Sequence, residues 1–78
     1  MKAREILARN VRRLRAERGL SQEKLGFEAK VSMTSISHIE TERYAATVDV
    51  IGRIAAALKV PMHELLVEKA PMQATKSK

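Results

Sequence analysis

The segment from Leu20 to Ile39 constrains the fold most, because it predicts two short helices joined by a tight turn. Its apolar residues recur at helical spacing, and a serine stands before each helix where an N-cap residue belongs. The apolar residues are Leu20, Leu25, Ala29, Val31, Ile36 and Ile39, and the two cap candidates are Ser21 and Ser32. The second helix should therefore run from about Met33 to Thr41, with a defined inner side.

The outer side of that second helix is predicted to be polar. At about 100° per residue, Ile36 and Ile39 define its buried side. The side chains furthest from them are Thr34, Ser37, His38 and Thr41, with Met33 and Ser35 at the flanks. Hydroxyl groups and a histidine ring nitrogen can bond base edges or phosphates, and a threonine methyl can contact a thymine methyl. Spacing alone leaves two interpretations open: a surface that reads duplex DNA, and an ordinary solvated helix face.

Apolar periodicity predicts three further helices and no sheet. The first spans about residues 3–18 and ends at Gly19 as a left-handed cap. The fourth begins after Thr47, and the short fifth begins after Pro61. Their predicted inner residues are Leu7, Val11 and Leu14 in the first and Val48, Ile51, Ile54, Ala55 and Leu58 in the fourth, and the short fifth helix carries Leu65 and Leu66. We expect an all-α domain over residues 1–69 and a flexible tail over 70–78.

Two aromatic residues and two histidines lie outside this apolar pattern. Phe27 falls on the outer side of the second helix, where we expect it to cover the base of the first; contact with a partner is the alternative. His63 is expected to be exposed. Nothing in the spacing brings it next to His38, so no metal site and no cofactor are predicted.

Composition favours a polyanionic partner. The chain carries a formal charge of +6, and residues 1–18 hold seven lysine or arginine residues against two glutamates. Residues 19–47 hold three cations against four acidic residues, so the central helices are not themselves basic. There is no cysteine, no signal-peptide pattern and no run of about 18 apolar residues. We therefore expect a cytoplasmic protein without membrane contact, small enough for dimerisation to supplement its core.

Several stretches together resemble the phage repressor and Cro (Cro/C1) family of five-helix, lambda-repressor-like DNA-binding domains. They are the runs Val11–Leu25, Val31–Glu40, Ile54–Val60 and Glu64–Leu66, which arrive in the family's order. The resemblance covers about residues 5–67. It implies that the two central helices form a helix-turn-helix motif that docks on double-stranded DNA.

The resemblance also implies roles for particular residues. Met33, Thr34, Ser37 and His38 match base-facing positions, and Gln22, Ser35 and Arg43 match positions that meet the sugar-phosphate backbone, with Tyr44 in reach of it. A solvated loop is the alternative for Arg43 and Tyr44. Glu40 matches a glutamate that pairs with an arginine at the position of Arg15, an ion pair that holds helix one against helix three.

Four positions depart from the family pattern. Gly26 replaces a usual alanine, Lys30 and Glu42 replace usual glycines, and Ala46 replaces a usual proline. Lys30 must either adopt a strained φ or shift the turn, which would change the tilt of the third helix. The fold should tolerate all four changes.

The predicted function is sequence-specific regulation of transcription by a homodimer on a near-palindromic operator upstream of its own gene. Val60, Met62, Leu65 and Val67 are the candidates for the dimer interface, although any of them could instead close the monomer core. The compact layout is most similar to restriction-modification controller proteins; phage repressors and antitoxins share the outline.

Other classes of function remain for comparison. Because the sequence ends soon after the fifth helix, we expect no small-molecule ligand and control by concentration alone. A module that binds a polymerase subunit or a toxin through helices four and five is the alternative. An enzyme is not expected, because no set of acid, base and nucleophile converges on a cleft.

Overall fold

The computed structural model describes residues 2–68 and folds them into five α-helices without a strand. The helices are α1 (Ala3–Glu17), α2 (Gln22–Ala29), α3 (Met33–Glu40), α4 (Val48–Leu58) and α5 (His63–Leu66). The predicted all-α, five-helix fold is confirmed. The predicted domain boundary after residue 69 and the tail over 70–78 lie outside the described residues.

Side-chain caps start three of the helices at the predicted positions. The hydroxyls of Ser21, Ser32 and Thr47 accept hydrogen bonds from backbone N–H groups three residues later, at 2.9, 3.0 and 3.1 Å. Such caps satisfy N–H groups that the helix itself leaves without partners. At the other end of α1, Gly19 has a φ of 65°, as its prediction as a left-handed cap requires.

Within residues 2–68, three residues other than glycine adopt left-handed backbone geometry: Lys30, Glu42 and Lys59, with φ of 62°, 64° and 62°. The turn into α3 therefore keeps its left-handed residue despite the lysine, at a cost in backbone strain. Glu42 does the same after α3. Lys59, which ends α4, is a third such position that the sequence did not single out.

The core lies where α1 packs on α3 and α5, and where α2 packs on α3 and α4. Its fully buried large side chains are Val11, Leu25, Ile36, Ile39, Ile54, Leu58 and Leu65. Gly26 allows the closest approach, because a Cβ at this position would lie 2.8 Å from the carbonyl oxygen of Val31. The start of α3 is thereby seated directly against α2.

Two predicted burials are wrong. Val48 is 71% exposed, because it stands in the first turn of α4 at the edge of the inner face, where no neighbouring element covers it. Phe27 is 78% exposed and does not cover helix one. It follows Gly26 by about 100° around α2, which turns its ring away from the core. The Lys24 ammonium instead lies over the Phe27 ring, with Nζ 5.8 Å from the ring centroid.

Candidate nucleic-acid interface

The outer face of α3, defined here as Met33, Thr34, Ser37 and His38, is open to solvent. Ile36 and Ile39 are buried on the opposite side, whereas Met33 is 52% exposed. Thr34 is exposed, and Ser37 and His38 are half-buried. In the described part of the chain, the hydroxyls of Thr34 and Ser37 have no hydrogen-bond partner. The phase predicted for this helix is correct, and the face presents hydroxyls that can both donate and accept.

The polar residues beside that face are partly engaged within the protein. The Ser32 hydroxyl donates to Ser35 Oγ at 3.0 Å, and the Thr41 hydroxyl donates to the Ser37 carbonyl at 2.8 Å. Ser35 therefore already accepts one hydrogen bond, and its own hydroxyl proton remains available. These contacts fix the first and last turns of α3.

His38 and Tyr44 form an aromatic pair at the C-terminal end of α3. Their ring centroids are 5.8 Å apart with the planes at 86°, the edge-to-face arrangement that aromatic rings favour. Tyr44 is half-buried against the core. The loop after α3 is thus anchored at Tyr44 rather than freely solvated, and the pair orients the His38 ring. Arg43, which precedes Tyr44 in the sequence, is exposed.

Glu40 connects three helices at the end of α3. Its buried carboxylate accepts hydrogen bonds from Arg15 Nε at 2.6 Å, from Arg15 Nη2 at 3.0 Å and from Gln22 Nε2 at 3.0 Å. Arg12 donates to the Glu40 backbone carbonyl. The hydrogen bond to Glu40 raises the pKa of Arg15 above its usual value, against the lowering effect of burial. The Arg15–Glu40 ion pair predicted as structural is present, and it ties α1 and α2 to the C-terminal end of α3.

The contact with Glu40 bears on the role of Gln22. Its amide has two N–H bonds, and one of them is used inside the protein. The other has no partner among residues 2–68, and backbone N–H groups at the start of α2 also favour an anion there. The phosphate contact of Gln22 stays a prediction.

The sequence did not indicate that residues of α1, together with Arg18 directly after it, donate hydrogen bonds at the C-terminal ends of three helices. Besides Arg12 at α3, Arg18 Nε donates to the Leu58 carbonyl at the end of α4. Asn10 Nδ2 donates to the carbonyls of Leu65 and Val67, both at 2.9 Å, at the end of α5. Asn10 stands within the apolar stripe of α1, and this polar residue on a buried face was the signal that could have identified it.

The predicted dimer residues divide into two groups. Leu65 is fully buried in the monomer, so assigning it to an interface is wrong: it packs in the core, and its carbonyl is held by Asn10. Val60 is half-buried against the same core. Met62 and Val67 are 37% and 40% exposed. Val48 and Leu66 are exposed large apolar residues as well, so α4 and α5 together present more apolar surface than predicted.

Two kinds of site are not found in the part of the chain that the structure describes. No three histidine, cysteine, aspartate or glutamate side chains are grouped as a metal ion would require. None of the helices from Ala3 to Leu66 has the length and apolar character needed to cross a bilayer.

The geometry of α2 and α3 agrees with comparisons to known proteins. Residues 11–65 match the model of the helix-turn-helix family. This chain belongs to the helix-turn-helix family, of the Cro/C1 type. A hypothetical transcription factor from Neisseria meningitidis serogroup B is 36% identical over 64 residues, which make up 82% of this chain. The chain spans 60% of the length of that relative.

Solved helix-turn-helix structures share the fold. The crystal structure of the hypothetical transcription factor NHTF from Neisseria is 34% identical with a TM-score of 0.84, covering 86% of this chain and 77% of that one. The restriction-modification controller protein C.AhdI from Aeromonas hydrophila is 27% identical with a TM-score of 0.77, covering 80% and 94%. The clp gene regulator ClgR from Corynebacterium glutamicum, at 24% identity and a TM-score of 0.78 over 85% and 86% of the two chains, shares the fold.

Proposed function

We propose that this protein is a sequence-specific DNA-binding regulator of transcription whose outer face of α3 reads bases in the major groove. The observation that carries the proposal is that Thr34 and Ser37, on the outer face of α3, present hydroxyls that have no hydrogen-bond partner among residues 2–68. The end of that helix is held by the Glu40 network, so the face is preorganised. Membership of the helix-turn-helix family and similarity to transcription factors support it.

Each residue of the interface has a proposed role. Thr34, Ser37 and His38 would bond base edges, and Met33 would make apolar contact with a thymine methyl group. Gln22, Ser35, Arg43 and Tyr44 would contact the sugar-phosphate backbone, which fixes orientation without reading sequence. The aromatic pair of His38 and Tyr44 links one base contact to one backbone contact.

We further propose that the protein acts as a homodimer on a near-palindromic operator upstream of its own gene. The exposed apolar residues of α4 and α5, namely Val48, Met62, Leu66 and Val67, are the surface that a second copy would cover. A two-fold dimer would place two copies of α3 about 34 Å apart, one turn of DNA. Similarity to the controller protein C.AhdI favours autoregulation of the controller kind.

Selection from a random duplex library, followed by binding titrations on the selected site and on random DNA, tests the proposal. We expect Thr34→Ala and His38→Ala each to reduce the preference for the selected site by about 1–3 kcal/mol, because each removes a base contact. Glu28→Ala, an exposed residue of α2 that pairs with Lys24, is the matched control and should leave the preference unchanged.

Two results would contradict the proposal. Equal losses on selected and random DNA would exclude base reading by Thr34 and His38. Failure of the wild-type protein to bind any duplex in a salt-dependent way would favour the alternative module that binds a protein, such as a polymerase subunit or a toxin, through α4 and α5.

A further inference from the structure

The arginines of the N-terminal segment fall into two groups. Arg12, Arg15 and Arg18 donate hydrogen bonds to carbonyls or to Glu40, and Arg13 pairs with Glu17 at 3.4 Å. These four charges are used inside the protein. Arg4 and Arg9 are exposed and make no hydrogen bond or ion pair within residues 2–68.

Arg4 lies beside the loop that follows α3. A groove of about 570 Å³ has Leu7 and Ile51 in its lining, together with Lys2, Arg4 and Glu42. Glu40 contacts Arg12 and Arg15 in the second half of α1, whereas Glu42 shares the groove with residues at its beginning. The chain after α3 therefore runs back along α1 towards its N-terminal end. Arg43 follows Glu42 directly in the sequence.

Three cations and two carboxylates lie at this end of the molecule, which gives it a small excess of positive charge. Lys2, Arg4 and Arg43 are cationic, and all three are exposed. Glu42 opposes them within the groove, and the Glu5 carboxylate accepts the backbone N–H of Lys2 at 2.9 Å. Lys2 and Arg4 thus share a groove with Glu42, the residue before Arg43, at the start of α1, a region to which the family resemblance assigned no DNA contact.

We propose that Lys2 and Arg4 form an additional phosphate-binding site, which holds the DNA backbone next to the phosphate expected at Arg43. This inference rests on the proposed DNA-binding function. The site binds duplex DNA of any sequence, because flexible exposed cations neutralise phosphates without reading base edges. Arg9 takes no part, because five helical residues place it about 140° around α1 from Arg4, away from the loop.

The test compares the variant carrying Lys2→Ala and Arg4→Ala with Arg9→Ala and the wild type. The probe is a duplex of about 30 base pairs of fixed random sequence, titrated by fluorescence anisotropy between roughly 50 and 200 mM salt. Each lost phosphate contact makes the negative slope of log K against log salt shallower by about 0.9. The decrease in affinity over this salt range is then about threefold smaller. We expect a reduced slope for the double variant and the wild-type slope for Arg9→Ala. Circular dichroism should show unchanged folding, because neither removed side chain has a hydrogen bond or ion pair to the rest of residues 2–68.

The outcomes separate this inference from the function on which it rests. A wild-type slope in the double variant would overturn the inference while leaving DNA binding intact. An equal reduction in Arg9→Ala would overturn it too, because the effect would then come from net charge rather than from a site. If the wild-type protein showed no salt-dependent binding, the proposed function and this inference would both fail.

Discussion

At the scale of residues, Glu40 is the side chain on which most polar contacts converge. It is only 3% exposed and depends on Arg15 for two hydrogen bonds and for its counter-charge. We expect Arg15→Ala to lower the free energy of unfolding by about 3–5 kcal/mol, because it leaves a buried carboxylate without its ionic partner. Urea titration followed by circular dichroism measures the loss.

The exposed pair of Arg13 and Glu17 provides the control for that prediction. Its carboxylate side chain is 54% exposed, so Glu17→Ala should cost less than about 1 kcal/mol. Similar costs for the two substitutions would show that the Glu40 network does not stabilise the fold in the way its burial indicates.

Residue patterns predicted some roles and concealed others. Arg15 could be assigned to Glu40 because the family motif carries both positions. The sequence did not distinguish Arg12 and Arg18 from DNA-binding arginines. Each donates to a backbone carbonyl that is remote in sequence, and only the tertiary structure shows that the two groups are close. Their partners, Glu40 and Leu58, lie 28 and 40 residues further along the chain. The basic character of α1 therefore overstated the charge available for DNA.

At the scale of elements, the helix ends divide into favourable and strained ones. Gly19 takes its left-handed conformation without strain, whereas Lys59 takes a similar one with a side chain attached. We expect Lys59→Gly to raise the free energy of unfolding by about 0.5–1 kcal/mol, because glycine is favoured at this helix-terminating position. Lys59 ends α4, apart from the outer face of α3, so DNA affinity should stay unchanged.

Gly19→Ala is the reciprocal experiment at the end of α1. A Cβ there would meet nothing within 4 Å, so only backbone conformation changes. We expect a loss of about 1 kcal/mol in thermal or urea unfolding. Stabilisation by this substitution, or destabilisation by Lys59→Gly, would show that left-handed geometry does not govern these two helix ends.

The boundaries and inner faces of the helices were largely predictable, because caps and apolar spacing are local signals. Ser21, Ser32 and Thr47 stand one residue before the helices they begin. The exposure of Val48 and Phe27 could not be predicted from sequence, because it depends on which neighbouring elements cover a side chain. For the same reason, Leu65 could not be assigned from sequence to core or to interface.

At the scale of the whole molecule, the core is small, and association with a second copy would add to the stability of the fold. Residues 2–68 expose six large apolar side chains, and four of them, Val48, Met62, Leu66 and Val67, belong to α4, to α5 or to the residues beside α5. Only the associated form would bury this surface, so the apparent stability of a dimer rises with protein concentration. The proposed homodimer thus predicts a thermal midpoint that increases as the protein is concentrated.

Charged substitutions on that surface test the prediction. Met62→Asp combined with Val67→Asp should convert a dimer at micromolar concentration into a monomer in sedimentation equilibrium, because association would bury unpaired carboxylates. Phe27→Asp, which changes another exposed apolar residue on α2, should leave the dimer intact. A wild-type monomer at micromolar concentration with its selected DNA site present would exclude the two-fold arrangement. Dissociation by Phe27→Asp would instead move the interface to α2, where the second copy would face the ring of Phe27 and the ammonium of Lys24.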